Sequence, residues 1–399
     1  MLTSLKQILN RIWRDEAFRS ASFAFILTRA LVFGILLLVT NAHHEGKDIP
    51  ALGGPVEDVD ISLTEKGILQ RAQQSIQAAD AIWYLNIARN GYEKEKFNTD
   101  QQHNWAFFPL FPLIVNAAAR ITGEFPLTAG LLSNVFFFAA LIFLHQTAML
   151  FGSNNAGATR TVFYLAAFPT SYFFSFPFTE SLFFLLTVAC FYCAQRQMWW
   201  RAGTFGALAS ATRLAGLFLI PALLILYWQR YRGRGLRPQL MSFGLMPLGL
   251  IAFMIYLRQT TGNALAFFDI QAAWGHAPNF FLRPLFNYLM NPLLLAERWD
   301  FRLLNFCAVL LALVCCGVLV RRRQWALAVY GLISLIVPLS ATVSLQSLAR
   351  YVMVIFPVFF VLASAGRSSR WDQIIRVLFV SLLTLMSALF ALHVALALA

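Results

Sequence analysis

Asp80 heads the run Ala79-Asp80-Ala81-Ile82-Trp83-Tyr84-Leu85-Asn86-Ile87-Ala88-Arg89-Asn90-Gly91-Tyr92, and a second aromatic run, Trp105 to Pro112, follows soon after. A carboxylate within hydrogen-bond reach of a hydroxyl can take its proton as that oxygen attacks, which is general-base chemistry. The run reads as an amphipathic helix, with Asp80, Trp83, Tyr84 and Ile87 on one side by the i, i+3, i+4, i+7 rule. Asp is equally a favoured helix N-cap, and spacing alone leaves both roles open. A second acid, Glu180, lies in Phe176-Pro177-Phe178-Thr179-Glu180-Ser181. It caps the following helix, or else it holds a sugar hydroxyl or orients an acceptor. Arg213 and Arg350 offer permanently charged, forked donors of the kind that grips a phosphate at a membrane boundary. The alternative for them is snorkelling to lipid headgroups. Tyr351 follows Arg350 directly. The stretch from Thr261 to His276 mixes polar and aromatic residues, and Trp274 and His276 could stack on a sugar ring and cover a cavity. A lone His there also reads as an interfacial surface residue.

These residues need elements that bring them together, and composition says what the elements are. The chain is 59% apolar, only 12% charged, and has a mean hydropathy of +0.64, which leaves little surface suited to water. Apolar runs of about 20 residues, the length that crosses a ~30 Å hydrocarbon layer, recur from Phe23 onward. The expected fold is an all-α polytopic membrane bundle of about 10–12 membrane segments, forming one integral domain over 1–399. In-plane juxtamembrane helices are expected in its first external loop. The net charge of +13 sits in short clusters at the ends of apolar runs, so it reads as topology and not as a nucleic-acid surface. Cys190, Cys193, Cys307, Cys315 and Cys316 all lie within apolar runs and read as core packing.

Lys6, Arg11, Arg14 and Arg19 precede the first span, which places the N-terminus in the cytoplasm and makes 42–104 the first external loop. That loop holds ten of the eighteen acids against six basic residues. Later arginine clusters fix the remaining path. Residues 161–177 go out and 181–195 return, with Glu180 at the external turn. Residues 202–229 form a pair of short helices turning at Ala211-Thr212-Arg213. Residues 239–257 go out, 259–300 form a second external loop, and 302–320 return. Residues 325–343 go out and 351–366 return, with Arg350 outside. The Pro-rich 106–121 lies in the membrane plane or is re-entrant. This path sends Asp80, Glu180, Arg213, His276 and Arg350 to one outer level, and charges at membrane depth usually line a pathway or a site.

No P-loop, dinucleotide fingerprint, Ser-His-Asp context or metal-ligand spacing is present. With its motifs in place, the chain resembles the mannosyltransferases that add the second mannose to glycosylphosphatidylinositol precursors, together with their bacterial relatives. Four blocks carry the resemblance: Asp80 to Tyr92 with Ala106 to Pro112; Pro169 to Ser181; Thr261-Gly262 through Trp274-Gly275; and Ser347 to Tyr351 with Phe356-Pro357. The family often has Trp-Asp where this chain has Ala79-Asp80. The resemblance implies a member of the C-type superfamily of multi-spanning glycosyltransferases, with Asp80 as catalytic base. It implies inverting transfer of mannose or a related hexose from a polyprenyl-phosphate sugar to a membrane lipid or glycan acceptor; such a scheme requires no cofactor and leaves a divalent metal open. Short external loops look bacterial, which implies an inner-membrane protein with an external, periplasmic site and a cell-envelope acceptor. Two other readings remain. One is a transporter or flippase of polyprenyl-linked glycolipids, though no internal repeat is evident. The other is a non-catalytic assembly subunit.

Overall fold

The computed structural model describes residues 15–42, 76–233, 235, 237–275, 277–290, 302–342 and 345–392. His276, Lys6, Arg11, Arg14, and parts of both predicted external loops lie outside the described residues.

Helix α1 (Glu16–Ala42) has no internal proline and carries small buried residues, Ala17, Ala21, Ala24 and Thr28, then Val32, Leu36 and Thr40, at three- and four-residue intervals. That stripe faces protein, while Phe23, Ile26, Leu27 and Leu38 point outward as lipid-facing residues do. In the first loop come α2 (Asp80–Asn90) and α3 (Leu110–Thr122). Helix α3 buries Phe111, Val115 and Ala119 on one face and exposes Leu113 and Ile121 on the other. Helix α4 (Phe125–Leu150) is long enough to cross, and α5 (Asn155–Ala166) is half that length. Helix α6 (Glu180–Gln195) is buried on nearly every side and packs between α4 and α7 (Trp199–Thr212), so the core is centred on it.

Beyond Arg213 a 3₁₀ segment leads into α8 (Leu219–Tyr231), and another 3₁₀ segment precedes α9 (Leu248–Thr261). The second loop contains α10 (Ala266–Asp269) and α11 (Arg283–Met290). The chain closes with α12 (Arg302–Arg321), α13 (Trp325–Ala341), α14 (Leu348–Met353), α15 (Pro357–Ala365) and α16 (Ser369–Ala391). Among the described residues, six helical stretches are long and apolar enough to cross a membrane, and three shorter apolar helices accompany them. Trp200, Trp228, Trp325 and Trp371 are exposed beside arginine clusters. They lie at the helix ends opposite the site, as an interfacial aromatic belt would.

Two segments take a form that spacing left unspecified, and one expectation needs correction. The outgoing segment 161–177 is not one helix: α5 stops at Ala166, and 167–179 runs as buried irregular chain with one 3₁₀ turn, Ser171–Phe174. The return 351–366 is likewise broken, since Pro357 has no N–H to continue α14 and instead starts α15. Cys307 is exposed and so is not core; the other four cysteines are buried, and all five are free thiols.

Candidate functional site: an alternating chain of acids and arginines

Each charged side chain of the site sits where a helix begins, breaks or bends. Asp80 is the first residue of α2, entered through Ala79, whose φ of 52° and ψ of −135° are costly for a residue with a Cβ. Glu180 is the first residue of α6, where the irregular segment 167–179 gives way to helix. Arg213 lies at the hinge between α7 and the next 3₁₀ segment in extended conformation (φ −157°, ψ 148°). Its N–H bonds Ala209 O (3.0 Å) and its carbonyl accepts from Gly216 N (2.9 Å), which folds the hinge back tightly. Arg350 lies in α14, which Ser347 enters at φ 62°.

These elements bring the four groups into one continuous array. Arg350 Nη1 donates to Asp80 Oδ2 (2.7 Å), and Arg350 Nε donates to Glu180 Oε1 (2.6 Å). Arg213 Nη1 donates to the same Glu180 oxygen (2.5 Å) and, more weakly, to Thr179 Oγ1 (3.3 Å). The order is therefore acid, arginine, acid, arginine, with formal charge balanced. The side chains are 33%, 6%, 1% and 20% exposed in that order, so the outer members meet water and the inner pair is sealed. Glu180 Oε2 is buried with no hydrogen-bond partner among the described residues. The Arg350 guanidinium also lies over the faces of Phe173 (4.6 Å) and Phe178 (4.8 Å), and Arg213 lies over Tyr351 (5.5 Å). These cation–π contacts fix both planes without using further donors.

Asp80 and Glu180 each stand one residue inside their helices, behind Ala79 and Thr179 as N-caps, and their side chains join the array. Arg350 and Arg213 turn onto these acids, Arg350 to both and Arg213 to Glu180.

An aromatic wall adjoins the charges. Trp83 stacks on Phe107 (5.7 Å between centroids, 12° between planes) and meets Trp274 edge-on (5.4 Å). Tyr84 is edge-on to Phe107 and Phe111, and its hydroxyl pairs with Thr179 Oγ1 (3.3 Å). Burial raises the Tyr84 pKa, so the hydroxyl stays protonated. Loop 91–109 is held rigidly beneath this wall. Tyr92 donates to Phe107 O (2.6 Å), Trp105 Nε1 donates to Glu93 O (3.0 Å), and the buried His103 stacks on Trp105 (4.0 Å). Asp80, Trp83, Tyr84, Glu180, Arg213, Trp274, Arg350 and Tyr351 thus share one region, whereas His276 lies outside the described residues. Sequence reasoning missed Thr179, Phe173, Phe178 and Phe107. The Pro177 turn just ahead of Glu180 was the available signal that the flanking aromatics belong to the site. Among the described residues, no group of three or more His, Cys, Asp or Glu side chains is placed to hold a metal ion.

An all-helical, multi-spanning membrane protein with a partly sealed site of paired carboxylates and guanidiniums is the class defined by this fold. The family described as Mannosyltransferase (PIG-V) matches residues 21–255, more than half of the chain, and the chain belongs to that family. The match takes in Asp80, Glu180 and Arg213 and ends before Arg350. Among curated proteins, the chain is similar to GPI alpha-1,6-mannosyltransferase 2 of Cricetulus griseus (26% identical over 225 residues) and of Mus musculus (27% over 221). Each alignment takes in 53% of this chain and 42% of the relative, so the chain covers less than half the length of those proteins. Among solved structures it is similar to the Archaeoglobus fulgidus oligosaccharyltransferase tethered with an acceptor peptide containing the NVT sequon. The TM-score is 0.41 at 12% identity, covering 93% of this chain and 53% of that one, a likeness too slight to bear on the chemistry.

Proposed function

We propose that this chain is an inverting glycosyltransferase that moves mannose or a related hexose from a polyprenyl-phosphate sugar to a hydroxyl of a lipid-linked glycan or other cell-envelope acceptor. The site faces the external side of a bacterial inner membrane, with the N-terminus cytoplasmic. What supports this reading is the single array in which a water-accessible carboxylate, Asp80, is tied through Arg350 and Glu180 to a second, partly open guanidinium, Arg213.

The array divides the labour. Arg350 is already engaged by both acids and clamped between two rings, so its task is to hold Asp80 and Glu180 in place. Arg213 uses Nη1 on Glu180 and Thr179 and is more exposed, so it receives the donor phosphate. In the transfer step Asp80 takes the acceptor hydroxyl proton, and the acceptor oxygen bonds to the anomeric carbon. The bond from that carbon to the phosphate oxygen breaks on the opposite face, and its electron pair leaves with polyprenyl phosphate beside Arg213. Stabilising that departing charge in a water-poor site is commonly the largest contribution to rate. The wall of Trp83, Phe107 and Trp274 presents ring faces for the sugar.

The test is transfer of radiolabelled mannose from polyprenyl-phosphate mannose to membrane lipid and protein extracts. Asp80→Asn is expected to lower the rate by about 10²–10⁴-fold, the usual worth of a general base. Donor binding should persist, because the variant keeps the shape of the site and removes only negative charge. Folded wild type that binds donor and yields no product would favour the transport reading. Folded wild type that binds no donor would favour the assembly-subunit reading.

A further inference from the structure

We propose that Arg29, in the middle of the first membrane span, is a positioning residue for the transfer step. The inference rests on the proposed function, and deepens it. Arg29 lies on α1, is 3% exposed, and makes no ion pair with a carboxylate among the described residues. A cation at that depth is costly and persists where it has a task.

All of its hydrogen bonds except one go to the end of α5 and the broken segment that follows it. Nη1 donates to Ser171 O (2.8 Å) and Ser175 Oγ (2.7 Å), while Nη2 donates to Ala166 O (3.0 Å) and Ser171 Oγ (2.9 Å). Nε reaches the neighbouring Thr28 Oγ1 (3.3 Å), and the guanidinium lies over Phe137 (4.8 Å). Ala166 is the last residue of α5, so the cation satisfies a helix-terminal carbonyl and meets the negative end of the helix dipole. The break exposes backbone groups that lipid cannot satisfy; from the neighbouring α1, Arg29 bonds Ser171 O and shares Ala166 O with Ser171 Oγ (2.6 Å).

The segment pinned in this way is the one that holds the array. Between the two serines lies Phe173, which supports one face of Arg350, and Phe178 beyond them supports Arg350 as well. Thr170 donates to Ala349 O (3.3 Å), beside Arg350 on α14. Thr179 and Glu180 complete the segment and bind Arg213. Arg29 touches none of the reacting groups. It sets the segment that sets Arg350 and Glu180, and through Arg350 it sets Asp80. Lysine keeps the charge but has one terminal nitrogen, which cannot span from Ala166 O to Ser175 Oγ as the planar fork does.

Arg29→Lys, purified as the full chain in lipid nanodiscs, tests this. Expected are a fall of about 10–100-fold in kcat per folded molecule, the scale of a small misplacement, and a donor KM within about twofold of wild type. Hydrogen–deuterium exchange should rise in peptides covering 167–180 and 347–354 and stay unchanged in α9, which packs on neither. Wild-type kcat together with wild-type exchange in both peptides would overturn the proposal. So would a loss that only follows the folded fraction, with exchange raised throughout. If wild type transfers no sugar, the functional reading fails on its own, and the exchange pattern still judges Arg29.

Discussion

Glu180→Gln changes one atom type in the most buried member of the array, and the charge arrangement predicts both its cost and its rescue. In the wild type, one carboxylate oxygen is shared by two guanidiniums at 2.5 and 2.6 Å. At an effective dielectric of about 20 and a charge separation of ~4 Å, each pair is worth about 4 kcal/mol before desolvation. The two guanidiniums, held on one oxygen, also repel each other by an energy of the same order. Glutamine removes both attractions and leaves the repulsion, with only the partly exposed Asp80 to balance it. The expected loss is about 3–5 kcal/mol, the range for leaving a buried charge without its partner. Arg213→Gln should cost less, since Glu180 and Arg350 still pair. The double variant Glu180→Gln/Arg213→Gln then removes the repulsion, leaves Arg350 paired with Asp80, and should recover about 2 kcal/mol relative to Glu180→Gln alone. Thermal melting of the detergent-solubilised protein, read at one detergent and lipid ratio, gives the ranking. A double variant less stable than Glu180→Gln, or single losses that simply add, would refute the shared-carboxylate account.

Two further predictions concern the backbone that carries the site. Ala79→Gly should raise the melting temperature, because relief of a strained positive φ, worth about 1–3 kcal/mol, outweighs the entropy that glycine costs. A fall in melting temperature would show that the turn before Asp80 carries no strain. Gly216→Ala should destabilise by about 1–3 kcal/mol, as a Cβ there would stand 2.3 Å from Ser210 N and 2.4 Å from Ala209 C, and backbone cannot step aside. The same substitution should loosen the Arg213 hinge, seen as weaker donor binding in a filter assay. Unchanged affinity in a destabilised variant would separate the hinge from phosphate recognition.

Much of the site was legible because charge is rare in this chain. Every acid or arginine inside an apolar run stands out, and arginine clusters at span ends were enough to place Asp80, Glu180, Arg213 and Arg350 at one level. The hinge at Arg213 followed from length, since 202–229 cannot cross twice. The breaks after Ala166 and before Pro357 were harder to read. Residues 161–184 are buried throughout, so no polar face reports where the helical period stops. The partners of Arg29 escaped for a related reason. They are carbonyls and serines freed by that break, and nothing in their residue types distinguishes them from other buried serines. Cys307 was misread because an apolar run does not say which of its sides faces lipid.

The link between Arg29 and Ser171 spans 142 residues of sequence, and this bears on how the protein is made. Ribosomes deliver chain N-terminus first at roughly 5–20 residues per second, so α1 is synthesised roughly 7–30 seconds before the carbonyls and hydroxyls that will receive its guanidinium. Throughout that interval a span with an unmatched cation must be kept in the bilayer, at an insertion cost of about 2.5–3.5 kcal/mol. The apolar length of α1 offsets that cost, and the arrival of the α5–α6 segment removes it. Until the α5–α6 segment arrives, the first helix therefore carries a cation whose partners in the finished fold have yet to be made.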